Sequence, residues 1–293
     1  MSITNLTSVK FLKIEPLWLL SIAAGLQAIT LTLVWRAHDV GHLGMSFLFL
    51  FATGSLLWDK RDQLRFESDV FSSVVGLLLI GWVLWESSTL NVEYTMRLFP
   101  FTSALGVALL ASGFKGLKQY LGELMILFVL GIPSLVSELL YEHSIFDLSP
   151  WSAKMAGFLL WYSGFDVKLQ GIYLSVGQGS VKVVYSCSGV DTINYILGIA
   201  VIALSMFPIA RKKNFFVLIF ATLLGFVLNA IRIALLAIFE GTNKEAFHSW
   251  HGGNASYSFG IAGILIFGLF YMLLLKQEER QIQKTQKSSG ITH

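Results

Sequence analysis

The chain has 293 residues, 55% hydrophobic and 13% charged, with 21 Lys and Arg against 18 Asp and Glu for a net charge of +3. Soluble domains carry about 25% charged residues, and at a mean hydropathy of +0.67 no water-soluble core can hide this much apolar surface, so lipid is the solvent for most of the chain. The basic surplus sits in short loops between apolar runs, where it acts as a topology signal and not as a nucleic-acid surface.

Apolar runs long enough, or nearly so, to span a bilayer fall at 16–35, 43–58, 71–88, 98–114, 121–141, 189–209, 214–239 and 256–275. Short connections between them predict an all-α polytopic membrane protein: one integral membrane domain over residues 1–293, built as a bundle of about eight transmembrane helices. The polar stretch 2–13 and the length of the first run argue for a retained first helix and against a cleavable signal peptide.

Orientation follows from lysine and arginine. With the N-terminus in the cytoplasm, the inside segments carry Lys10, Lys13, Lys60, Arg61, Arg65, Lys115, Lys118, Arg211, Lys212, Lys213, Lys276, Arg280, Lys284 and Lys287. The outside loops keep Arg36, Arg97, Lys154, Lys168, Lys182 and Lys244. Both termini are therefore expected inside.

The long outside segment 142–187 is the least lipid-like part. Residues 151–165, with Trp151, Trp161 and Tyr162, suit an interfacial amphipathic helix. Beyond it, 172–176 and 181–185 are rich in β-branched and aromatic residues, and Gly177-Gln178-Gly179-Ser180 between them has turn chemistry. A small extracytoplasmic hairpin is expected there, delivering the chain to Ser186-Cys187-Ser188-Gly189.

Cys187 is the sole cysteine, so it is either a small packed hydrophobe or a reactive thiol. It lies at the outer mouth of the sixth run. Arg232 lies in the seventh, about two turns or roughly 10 Å below its outer end near Phe239. An arginine in an apolar helix costs about 2.5–3.5 kcal/mol, which makes a paired or functional role its default. Asn229, one turn earlier, extends a polar stripe on the same face. His248 and His251 lie in the outer loop before the last run; either is equally well read as a solvated loop histidine. Together, thiol, guanidinium and imidazole are the parts of nucleophilic catalysis.

At these residues the sequence resembles the exosortase/archaeosortase family, and the cyanobacterial exosortases in particular. The matching pieces are Cys187-Ser188-Gly189-Val190 opening a helix, Asn229-Ala230-Ile231-Arg232-Ile233 in the next helix, and a histidine before the last. The resemblance implies a membrane cysteine transpeptidase, embedded in the inner membrane of a bacterium with its site on the outer face. Its partners would be membrane-anchored proteins bearing a C-terminal Pro-Glu-Pro-like motif, a transmembrane helix and a basic tail. By residue matching, Cys187 is the nucleophile that forms a thioester, Arg232 stabilises the oxyanion or orients substrate, and one histidine moves protons. Trp250-His251-Gly252-Gly253-Asn254-Ala255-Ser256 favours His251, with His248 the second choice. No cofactor and no metal are expected.

Other classes fit less well. A transporter would place charges within several spans and repeat its halves. A rhomboid-like serine protease lacks support, because Gly177-Gln178-Gly179-Ser180 has no closing glycine. A scaffold explains the bundle but not the three converging residues. A metal site from His143, Glu138 and Glu142 with His248 or His251 matches no strong ligand spacing.

Overall fold

The computed structural model describes residues 16–37, 40–89, 96–143 and 145–288; the 2–13 stretch with Lys10 and Lys13 lies outside them. Six helices among these residues are long and apolar enough to cross a membrane, with the shorter apolar Val190–Met206 beside them. The protein is an all-α polytopic membrane protein carrying one small sheet. It divides between Leu135 and Val136 into two compact units.

The first unit contains α1 (Pro16–Arg36), α2 (Val40–Asp59), α3 (Val70–Ser87), α4 (Phe99–Gly116) and the start of α5 (Leu121–Glu142). Helices α3 and α4 touch backbone to backbone: a Cβ on Gly76 would stand 2.6 Å from the Gly106 carbonyl oxygen. Small residues allow this approach where lipid supplies no hydrophobic drive between helices. The apolar stretch Met96–Gly131 is not one straight span. Gly113 leaves helical geometry at φ 61°, and Phe101 meets Phe128 with ring centroids 5.5 Å apart. The chain therefore doubles back between α4 and α5, close to where the sequence breaks between 98–114 and 121–141. Lys60 binds the buried Glu123 at 2.7 Å beside this reversal.

The second unit holds the end of α5, α6 (Ser149–Tyr162), β1 (Val167–Gln170), β2 (Tyr173–Val176), β3 (Gly179–Lys182), α7 (Val190–Met206), α8 (Arg211–Thr242), α9 (Lys244–His251) and α10 (Tyr257–Ser288). The expected hairpin is a three-stranded antiparallel sheet in the order β1-β2-β3. Its second turn is Gly177-Gln178, since Val176 pairs with Gly179. Gly179 is thus a strand residue, not part of the turn. The first turn is Gly171-Ile172, with Gly171 at φ 61°. The additional strand β1 follows Gly164, whose φ of 89° after the end of α6 turns the chain back toward β2.

Helix α8 is the spine of this unit. At 32 residues it is about 48 Å long, well beyond a hydrocarbon core of about 30 Å. Its first part lies along α7, where a Cβ on Gly225 would meet the Ile193 Cα at 2.7 Å. Its last turns leave α7 behind. There Ile233, Ala234 and Ala237 pack with Ala153, Ala156 and Leu160 of α6 and Leu174 and Val176 of β2 in one buried cluster. Strand β3 crosses α8 through Gly179 and Gly241, and a Cβ on either would fall within about 2.5 Å of the other backbone. Apolar residues after Arg232 are therefore covered by α6 and the sheet.

Candidate active site

The site is assembled where α7 begins. Residues Tyr185–Cys187 form a 3₁₀ turn, closed by Cys187 N–H donating to the Val184 carbonyl (2.8 Å) and Ser188 N–H to the Tyr185 carbonyl (2.9 Å). Tyr185 stacks on Tyr141 of α5, centroids 4.1 Å apart. Gly189 at φ 97° then turns the chain into α7. That left-handed conformation suits glycine, and so does the space: a Cβ would lie 2.7 Å from the Asn229 amide nitrogen. Half-buried Cys187 stands directly before this turn.

The 244–251 stretch, expected as a loop, is the helix α9. Asn243 caps it, its Oδ1 accepting from the Ala246 N–H at 3.0 Å. Trp250 seats it between two neighbours, 6.2 Å from Phe239 of α8 and 5.4 Å from Phe259 of α10. Three residues apart, the histidines have different surroundings. His251 sets Nε2 at 3.9 Å from Cys187 Sγ, and Phe247 stacks on its imidazole at 5.3 Å with planes 9° apart. His248 meets Phe247 edge-on, and both histidines are exposed. A sulfur–nitrogen approach of this length is ordinary for a catalytic pair without substrate, where such contacts are often long.

Arg232 joins the group differently from the sequence expectation. Because α8 runs to Thr242, it lies about 15 Å before the helix end, level with the start of α7 and beside α9. One guanidinium nitrogen donates to the His251 backbone carbonyl at 2.6 Å. That carbonyl ends α9, where helix carbonyls lack internal partners and favour a cation. The Arg232 Nε is buried and has no hydrogen-bond partner among the described residues. A buried donor left in that state is costly, and marks a place where an acceptor is to be supplied.

Two further side chains reach the cysteine turn. Asn229 Nδ2 donates to the Cys187 carbonyl at 2.9 Å, and Ser152 Oγ of α6 donates to the Ser188 carbonyl at 2.5 Å. The sequence singled out Asn229 as part of a polar stripe and of the Asn-x-x-Arg piece of the resemblance, and gave no signal for Ser152, since a serine on an interfacial helix is unremarkable until its partner is known. No group of three or more His, Cys, Asp and Glu among the described residues is placed to hold a metal ion; the Glu138 side chain lies outside them.

A family model described as transmembrane exosortase matches residues 35–274. The chain belongs to the transmembrane exosortase family. The match takes in the second unit's site from the cysteine turn through α9. No curated protein and no solved structure matches the chain.

Proposed function

We propose that this exosortase-family protein is a membrane cysteine transpeptidase acting through a thioester on Cys187. The observation that carries the reading is the 3.9 Å approach of Cys187 Sγ to His251 Nε2, two residues 64 positions apart in the chain. His251 takes the thiol proton as the sulfur attacks the scissile carbonyl carbon. The C=O electrons move onto oxygen, where the Arg232 donors not engaged with His251 stabilise the charge. The intermediate collapses with cleavage of the C–N bond, and the leaving amine takes the proton from His251. An acceptor nucleophile then gives its proton to His251 and attacks the thioester, restoring the Cys187 thiol.

The substrates are membrane-anchored proteins ending in a Pro-Glu-Pro-type motif, a transmembrane helix and a basic tail. The protein sits in the bacterial inner membrane with both termini cytoplasmic and its site outside, a reading supported by the lysine and arginine distribution. Coexpression with such a substrate tests the activity. Cys187→Ala is expected to leave it unprocessed, and Cys187→Ser nearly so, because a hydroxyl ionises far less readily than a thiol. Full processing by Cys187→Ala would return the residue to a packing role.

A further inference from the structure

The turn that presents Cys187 is held from two sides by side chains that have no other business there. Ser152 and Asn229 are buried, at 0% and 1% exposure. Each spends its donor on a backbone carbonyl at the cysteine turn, Asn229 on Cys187 itself and Ser152 on Ser188. The two donors come from different elements, α8 and α6, so the turn is clamped between them. Gly189 closes the third side, its backbone pressed against the Asn229 side chain in a conformation with φ 97°. The peptide planes on the C-terminal side of Cys187 are thereby fixed, while the 3₁₀ hydrogen bonds fix those before it.

We infer that Ser152 and Asn229 are positioning residues that aim the Cys187 thiol at His251. The inference rests on the reading of Cys187 and His251 as a reacting pair. At 3.9 Å the pair is at the limit of contact, so a modest rotation of the Cys187 peptide separates sulfur from imidazole. Without the Asn229 amide the Cys187 carbonyl is free to swing, and without the Ser152 hydroxyl so is the next plane. Neither side chain touches the reacting atoms. Each acts through the backbone, and truncation is expected to lower the rate of thiol chemistry without changing which group assists it.

The sole cysteine makes the test direct. The full chain in detergent is treated with iodoacetamide across a range of pH, and modification of Cys187 is followed by intact mass for wild type, Ser152→Ala, Asn229→Leu, His251→Ala and each pairing with His251→Ala. Asn229→Leu keeps the approximate size of the side chain, removes the donor and adds no charge. The wild type is expected to react faster than His251→Ala at neutral and acid pH, and that difference measures the sulfur–imidazole coupling. Ser152→Ala and Asn229→Leu are expected to shrink it about tenfold, since misplacements near 1 Å commonly cost that much or more. Adding His251→Ala to either should then change little. Full coupling retained in both single variants overturns the inference while leaving the reacting pair intact. Equal profiles for wild type and His251→Ala overturn the reacting pair, and the inference with it. If Ser152→Ala fails to fold, Asn229→Leu alone decides, with folding checked by its thermal unfolding.

Discussion

Arg232 holds His251 by its backbone and not by its ring: the guanidinium donates to the carbonyl that ends α9, at 2.6 Å. One contact thus joins the long helix that carries Arg232 to the short helix that carries the imidazole. It satisfies an orphan helix carbonyl and opposes the negative end of α9 with a fixed positive charge. In the proposed mechanism Arg232 therefore serves twice, as a clamp on His251 and as a bearer of further donors.

Lysine cannot repeat both tasks. Its compact ammonium on a flexible stem makes one directed contact where the planar fork makes several. Arg232→Lys is expected to insert and bind substrate, but to lose about 100- to 1,000-fold in turnover, the usual cost of an oxyanion donor. Amide hydrogen exchange should show α9 opening more readily in Arg232→Ala than in wild type. Normal turnover in Arg232→Lys would reduce the residue to a structural charge.

The two histidines are separable by the same assay. His251 faces the thiol and is stacked by Phe247, whereas His248 meets Phe247 only edge-on. His251→Ala should leave substrate uncut or stalled, and His248→Ala should process it at a rate within a few-fold of wild type, as exposed substitutions away from a site usually have small effects. The opposite pattern would transfer the proton-moving role to His248.

Orientation is open to labelling. In a Cys187→Ser background, single cysteines at 212 and 168 should react with membrane-impermeant reagent from opposite sides, 212 from the cytoplasm and 168 from outside. Labelling from one side would contradict the proposed topology and the placement of the site on the outer face.

The crossing of β3 over α8 is a stability test. Gly179 and Gly241 meet backbone to backbone, so Gly241→Ala must push strand and helix apart. Overpacking of this kind costs about 1–3 kcal/mol, and a clear fall in thermal unfolding temperature is expected. An unchanged midpoint would mean that the sheet is not seated on α8.

Much of this was legible in the sequence because lipid imposes a simple code. Apolar runs gave the helices, and even the break between 98–114 and 121–141 matches the reversal at Gly113 and beyond. Cys187 and Arg232 stood out because their chemistry is rare in such surroundings, whereas His251 was set apart from His248 only by the resemblance of residues 250–256 to a family pattern. What was not legible depended on who covers whom. The apolar residues after Arg232 read only as more membrane span, whereas Ile233, Ala234 and Ala237 are apolar to suit α6 and the sheet. The histidine stretch looked like a loop because eight mostly polar residues carry no span signal; the Asn243 cap and the Trp250 anchor make it helical. Ser152 was invisible for the same reason, since its partner is a carbonyl distant in sequence.

The central claim is that Cys187 carries the substrate as a thioester, and the mass of the enzyme tests it most directly. Purified protein mixed with a substrate bearing the C-terminal signal, then quenched in acid, should show an adduct equal to the substrate portion upstream of the cut. The adduct should map to Cys187, disappear with hydroxylamine, and be absent from Cys187→Ala. Substrate cleaved at an undiminished rate by Cys187→Ala, with no adduct on the wild type, would contradict the account.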